Sequence, residues 1–125
     1  MRIPFMVRPT TRFRRRELFD DAIDVIAEDY ADEDLSLTEV AHRIATSPRQ
    51  LQRAFAEAGG TSFRRELQRV RMDRAAELLR EGSRPVQDVA AAVGYRHGAQ
   101  FAKAFRRHHG APPSSFRERG RSIAA

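Results

Sequence analysis

Arg49, Gln52 and Arg53 are the side chains of this chain best placed to do chemistry on a polymer partner. On a helix they would cluster on one face, since residues three and four apart are neighbours there. A guanidinium can bond bidentately to a guanine edge and a carboxamide to an adenine edge, each good pair giving about 1–3 kcal/mol of discrimination. Leu51, Ala54, Phe55 and Ala58 fall on the opposite face, so this helix is expected to pack on one side and read on the other. Later in the chain Gln100, Lys103, Arg106 and Arg107 offer a thinner version of the same vocabulary, with Ala99 and Ala102 standing where the earlier helix has Arg49 and Gln52. Lys103 can reach guanine or phosphate, alanine can meet a thymine methyl, and Arg106 and Arg107 suit phosphates.

Other chemistries find little support. The chain has no cysteine, hence no disulfide framework, thiolate nucleophile or cysteine zinc site. His108 and His109 form an adjacent pair without ligand spacing or further ligands, and His108 is expected on the core face with Phe101, Ala104 and Phe105. His97 is expected either to touch phosphate or to end a turn, and His42 to lie at the surface. Paired carboxylates, a nucleophile triad and a phosphate-cradling glycine loop are all lacking, so neither an enzyme nor a cofactor is predicted.

Charge sharpens this reading. Residues 1–16 carry six arginines and no acid, residues 17–39 ten acids and no base, and residues 40–125 a net charge of +10. A polyanion partner is therefore expected for the last two-thirds, with the acidic stretch turned away from it. That stretch is either a solvated face or a partner surface. Lys103 is the only lysine among 23 basic residues; the arginine excess fits a GC-rich genome as well as phosphate binding, whereas the block structure does not follow from base composition. No apolar run approaches the ~20 residues that cross a bilayer, and a cytoplasmic, nucleoid-associated protein without membrane contact is expected.

Short helices must position these groups. Residues 1–15 hold Pro4 and Pro9 without periodicity and read as a flexible basic arm, which either tracks DNA or is a disordered leader. An acidic helix is predicted from about Arg16 to Ala31, where Phe19, Ala22, Ile23, Ile26, Ala27 and Tyr30 recur at helical spacing. Ser36 to Glu39 forms a capping box, with Leu35 and Val40 placed as a hydrophobic staple. Ser47 caps the next helix, Pro48 takes its first position, and Gly59-Gly60 ends it. Ser62 caps a long helix from Phe63 to about Glu81, with Leu67, Val70, Arg71, Met72, Ala75, Leu78 and Leu79 on its buried stripe. Val86–Val93, Gly98–His108 and a turn through Phe116 complete the series.

The second half repeats the first. Leu37, Glu39, Val40, Ala41 and Ile44 match Val86, Asp88, Val89, Ala90 and Val93 at an offset of 49, while Leu51, Ala54, Phe55 and Gly60 match Phe101, Ala104, Phe105 and Gly110 at 50. One residue is thus inserted between Val93 and Phe101. The expected fold is all-α, about seven helices forming two helix-turn-helix subdomains joined by a long linker helix: arm 1–15, first subdomain 16–62, linker 63–82, second subdomain 83–119, tail 120–125. A linker of some eighteen residues spans ~27 Å, and with its flanking turns could set two reading helices about one duplex turn, ~34 Å, apart.

The run Leu35-Ser36-Leu37, Val40-Ala41, Ser47 to Phe55, then Arg71-Met72, Ala75, Leu78-Leu79, then Val89-Ala90, Val93-Gly94-Tyr95, Phe101, Phe105-Arg106-Arg107, Gly110, Pro112-Pro113-Ser114 and Phe116-Arg117 resembles the DNA-binding domain of the AraC/XylS family of bacterial transcription regulators. The match covers about residues 18–117, and the length is similar to that of the short MarA/SoxS-like members. The resemblance implies base contacts at Arg49, Gln52, Arg53, Gly98, Ala99, Gln100 and Lys103. The chain departs from the family pattern at Arg96 and His97, where a Ser or Asp cap is usual, at Gly98 and Ala99, at Glu66 in place of an aromatic, and at Pro85 in place of Ser or Thr.

The expected function is a sequence-specific regulator, an activator on the family resemblance, that reads two adjacent major-groove segments of double-stranded DNA as a monomer and meets RNA polymerase there. The expected site comprises Ser47, Arg49, Gln50, Gln52 and Arg53 of the first motif and Arg96, His97, Gln100, Lys103, Arg106 and Arg107 of the second. Two alternatives stand beside it: the DNA-binding half of a larger sensor protein, and a protein-interaction module docking on RNA polymerase or another regulator with weak DNA binding.

Overall fold

The computed structural model describes the backbone of residues 3–117 and the side chains of residues 10–117. It is all-helical, with no strand among the described residues. In order come α1 (Ile3–Asp29), α2 (Leu37–Arg43), α3 (Pro48–Ala54), α4 (Phe63–Glu81), α5 (Val86–Ala92), α6 (Gly98–His109) and a last short helix, α7, at 113–117. The end of α3 widens into a π-helical turn, Phe55–Gly59, closed by Gly60 in the left-handed conformation (φ +62°). The chain divides into two compact units. The first comprises residues 1–28 and 35–66, the second 29–34 and 67–125, so α4 gives its first turn to one and its remainder to the other. No helix of the described residues is long and apolar enough to cross a membrane.

Helix α1 departs from expectation. Its backbone is helical from Ile3, so the segment predicted as an arm is helical over residues 3–15. The arginine run finds acids within helical reach: Arg14 lies 3.7 Å from Glu17 and Arg16 3.4 Å from Asp20. Arg15 bonds Glu57 at 2.6 Å. Residues 1–2 and the predicted tail 120–125 lie outside the described residues. Within α1 the buried stripe is Leu18, Ala22 and Ile26 at strict four-residue spacing, while Ala27, expected to face inward, is exposed.

In the first unit, Leu35, Val40, Ala41, Leu51, Ala54 and Phe55 join that stripe in the core. Phe55 stands edge-on to Phe19, 5.2 Å between centroids, and to Phe63 at 6.0 Å. Aromatic pairs of this geometry add about 0.5–1.5 kcal/mol each beyond area burial. The core of the second unit gathers Met72, Ala75, Ala76, Leu78 and Leu79 from α4, Val89, Ala90 and Val93 around α5, Phe101, Ala104 and Phe105 from α6, and Phe116. Val70 and Arg71 of the predicted stripe are only partly buried.

Caps place the helix starts. Ser36 Oγ accepts from the Glu39 amide at 3.1 Å, Ser47 Oγ from the Gln50 amide at 3.1 Å, and Ser62 Oγ from the Arg65 amide at 3.1 Å. The capping box at Ser36 is half made: the Glu39 carboxylate turns to Arg43 Nε, 3.0 Å away. An ion pair one turn along outcompetes the return bond to the Ser36 amide there.

Candidate nucleic-acid interface

The turn joining α2 to α3 and the turn joining α5 to α6 use the same hydrogen bonds. In the first, Ala45 N–H donates to His42 O (3.2 Å) and Thr46 N–H to Ala41 O (2.9 Å); in the second, Gly94 N–H donates to Ala91 O (3.1 Å) and Tyr95 N–H to Ala90 O (2.9 Å). Every donor and acceptor is matched at an offset of 49. The helix starts match at 50, with Leu51 N–H on Ser47 O (3.0 Å) and Phe101 N–H on His97 O (3.1 Å). Tyr95 therefore pairs with Thr46 and His97 with Ser47, which identifies the inserted residue as Arg96.

Helix α3 presents two opposed faces. Leu51 and Ala54 are fully buried and Phe55 is 1% exposed, whereas Arg49, Gln50, Gln52 and Arg53 are all exposed. Burying a Leu or Phe side chain is worth about 1.5–3 kcal/mol, and an unpaired buried guanidinium would cost several, so the apolar face decides which way the helix turns. Arg49, Gln52 and Arg53 share the outward face, and Gln50 flanks it. Arg53 Nε lies 3.8 Å from Glu57, a long pair on a carboxylate already bonded by Arg15. Ser47 is exposed but its hydroxyl is engaged as the cap. Ala58, expected with the core face, is half-buried.

Helix α6 repeats the inward face with Phe101 and Phe105 fully buried and Ala104 nearly so. Its exposed face carries Gly98, Ala99, Gln100, Lys103, Arg106 and Arg107. His97 takes the N-cap position with no side-chain bond to the helix amides. Arg96 is exposed but already partnered: its guanidinium contacts Glu33 at 3.1 Å and bonds the Asp34 carboxylate, both from the 29–34 segment of the same unit. The structure therefore brings Gln100, Lys103, Arg106 and Arg107 onto one helix and sets Arg96 apart, on acids.

The packing expected of His108 falls to its neighbour His109. His108, expected in the core or packed at the helix end, is exposed and sits 3.4 Å from Asp73. His109 is the one that packs, at 4.5 Å from the Phe105 ring and 4.9 Å from Phe116, with Nε2 3.0 Å from Met72 O. The left-handed glycine at 110 ends the helix one residue later than predicted, which brings His109 into the last turn.

Two positioning features were not drawn from the sequence. Arg71, expected on the buried stripe of α4, finds its partners in the 29–34 segment. It donates from Nε to Tyr30 O (2.7 Å) and from Nη2 to Asp32 O (2.8 Å), and its guanidinium lies 5.7 Å from the Tyr95 ring centroid. Burial pushes its pKa below the ordinary arginine value, opposed by Tyr95 and Asp32. An arginine on an apolar stripe was the available signal, since such a group is kept only where acceptors await it. Gly94, at φ +91°, packs under this clamp: a Cβ there would lie 2.7 Å from Tyr30 O and 2.9 Å from Arg71 Nη2. Its counterpart in the first turn is Ala45, at φ +59°.

Comparison with known proteins agrees with this geometry. A helix-turn-helix domain family model matches residues 40–119. An HTH-type transcriptional regulator of Mycobacterium tuberculosis is 40% identical over 85 residues, 68% of this chain and 24% of the relative. The RCS-specific HTH-type transcriptional activator RclR of Escherichia coli is 36% identical over 89 residues, 71% of this chain and 30% of RclR. The chain thus spans about a quarter to a third of the length of these two relatives. A crystal structure of a transcriptional regulator with an AraC-type DNA-binding domain from Chromobacterium violaceum superposes with a TM-score of 0.76 at 26% identity, covering 83% of this chain and 92% of that one. With its paired motifs, repeated turn bonds and matching family model, the chain belongs to the AraC/XylS family of helix-turn-helix transcription regulators.

Proposed function

We propose that the chain binds double-stranded DNA sequence-specifically, reads two adjacent major-groove segments as a monomer, and regulates transcription in the cytoplasm, as an activator that meets RNA polymerase at its site. One observation carries the reading: Leu51, Ala54 and Phe55 are buried while Arg49, Gln52 and Arg53 stand exposed on the other face of α3. An outward guanidinium-carboxamide-guanidinium face on the second helix of such a motif suits base edges. In this reading Arg49, Gln52 and Arg53 carry most of the direct readout. Ser47 and Gln50 sit at the start of α3, where the first amides of a helix favour phosphate. Gln100, Lys103, Arg106 and Arg107 of α6 supply anchoring, with a lesser share of base contact, and His97, exposed at the N-cap of α6, is open to a phosphate. Arg96 joins only when released from Glu33 and Asp34. The activating role rests on likeness to relatives such as RclR.

Selecting bound sites from a random DNA pool, followed by footprinting, tests the proposal. The expected result is an asymmetric site with stronger information in one half. Binding that enriches no sequence would refute it and favour a second reading, a module that docks on RNA polymerase or another regulator with weak DNA binding. That second reading draws on the acids that occupy Arg96 and on the small side chains of Gly98 and Ala99 at the start of α6.

A further inference from the structure

Asp73 on α4 and His108 and His109 at the end of α6 come together within the second unit, one donor atom from each lying within 4.8 Å of the other two. We propose that these three side chains form a binding site for a divalent transition-metal ion of the zinc class, stapling the last turn of α6 to α4. His108 Nε2 stands 3.4 Å from Asp73 Oδ1. Two ligands of a tetrahedral ion with bonds of ~2.1 Å are about 3.4 Å apart, so this pair already spans one edge of the coordination shell.

The surroundings match what a ligand set needs beyond its first contacts. His109 Nε2 lies 3.0 Å from Met72 O; since a carbonyl can only accept, that nitrogen carries the proton and Nδ1 keeps its lone pair free for a metal. A ring N–H given to a backbone carbonyl is the usual device for fixing the tautomer of a metal-binding histidine. Asp73 is steadied in the same way, its second oxygen accepting from Arg69 Nη1 at 3.3 Å. The His109 ring is held between Phe105 and Phe116, which limits the freedom lost on binding. His108 and Asp73 are exposed, so an ion can enter from solvent, and three protein ligands leave a fourth position for water. Two imidazoles and one carboxylate suit zinc, nickel or copper and not magnesium, which prefers oxygen ligands and keeps its own waters.

The test uses the tag-free full chain titrated with zinc chloride in a non-chelating buffer, following heat of binding and thermal unfolding. One zinc ion per chain should bind and raise the Tm, and magnesium chloride should do neither. His108→Gln and Asp73→Asn change exposed residues and are expected to keep the fold, checked by unchanged helicity without metal. Each should weaken zinc binding at least tenfold, with the Tm rise lost. His109→Gln should do the same if it folds, and the other two variants decide the matter if it does not. Wild-type chain that takes up no stoichiometric zinc, or equal affinity in wild type and both exposed variants, would overturn the site.

Discussion

In each helix-turn-helix turn the chain bends into left-handed backbone at the residue that donates the first turn bond, Ala45 or Gly94, and the two copies meet that demand differently. The first uses Ala45 at φ +59°, an exposed alanine. The second uses Gly94 at φ +91°, buried under Tyr30 O and Arg71. The first turn tolerates strain because it is open; the second cannot hold a Cβ at all. Helices α3 and α6 differ in the opposite sense. The first copy invests in outward chemistry, with a serine cap and Arg49, Gln52 and Arg53, while the second offers an uncapped start, two small residues and a row of basic side chains. The inserted Arg96 is bound to acids. In the proposed function this contrast makes the first copy the main reader and the second the anchor.

The largest expected effect tests the packing side of this contrast. Gly94→Ala combines a left-handed alanine with a contact of 2.7 Å to a backbone carbonyl that cannot swing away. Strain of this kind costs about 1–3 kcal/mol for the backbone alone, so a loss of roughly 3 kcal/mol or more is expected in urea unfolding followed by helicity. Ala45→Gly should act the other way. Relief of about 1–2 kcal/mol of left-handed strain outweighs the ~0.5–1 kcal/mol that glycine loses in chain entropy, leaving a gain near 0.5 kcal/mol. Similar losses from Gly94→Ala and Ala45→Ser would erase the asymmetry between the turns.

The recognition side comes next in size. Arg53→Ala and Gln52→Ala should each remove about 1–3 kcal/mol of preference at one base position and leave binding to unrelated DNA nearly unchanged. Arg106→Ala and Arg107→Ala should weaken all sequences alike and flatten the salt dependence by about one unit of slope each. Competition binding at three salt concentrations reads both quantities. Equal loss of specificity from the two sets would end the proposed division of labour.

Much of this architecture was legible in the sequence because it rests on local rules. The repeat at offsets 49 and 50, the serine caps, the stops at Gly60 and Gly82, and the inward turn of Leu51 and Phe55 all follow from spacing and residue type within one helix or turn. What escaped the sequence depends on partners far along the chain. Arg15 meets Glu57, Arg71 meets Tyr30 and Asp32, Arg96 meets Glu33 and Asp34, and His108 meets Asp73. No periodicity announces such pairs. Pro4 and Pro9 read as helix breakers, which hides the start of α1, and His109, four residues after Phe105, packs on that ring where His108 turns to Asp73. The repeat placed an insertion between Val93 and Phe101; only the turn bonds assign it to Arg96.

Capping gives a smaller and cleaner test. Ser47 and His97 occupy equivalent N-cap positions, both in extended backbone, and only Ser47 bonds an amide of its helix. Ser47→Ala should cost about 1 kcal/mol. His97→Ser should recover about 0.5–1 kcal/mol by supplying the bond that α6 lacks. Both are read as shifts in the urea midpoint, and a destabilising His97→Ser would mean that the imidazole holds the turn in some other way.

The smallest effect concerns Arg96, and a single variant cannot resolve it. Glu33 and Asp34 are exposed acids on an exposed arginine, and pairs of that kind are worth only about 0–1 kcal/mol. Replacing both, Glu33→Gln with Asp34→Asn, should therefore leave stability almost unchanged. DNA affinity should rise two- to fivefold at low salt, for either of two reasons. The removal of two negative charges favours any polyanion, and the freed guanidinium can reach a phosphate. A double-mutant cycle with Arg96→Ala separates these. If bulk charge alone acts, the double acid replacement raises affinity equally with and without Arg96. If Arg96 is the group released, most of the gain vanishes in the Arg96→Ala background, while Arg96→Ala alone changes little because its guanidinium was already occupied. The second pattern is expected, since the carboxylates hold the one residue that the second copy has and the first lacks.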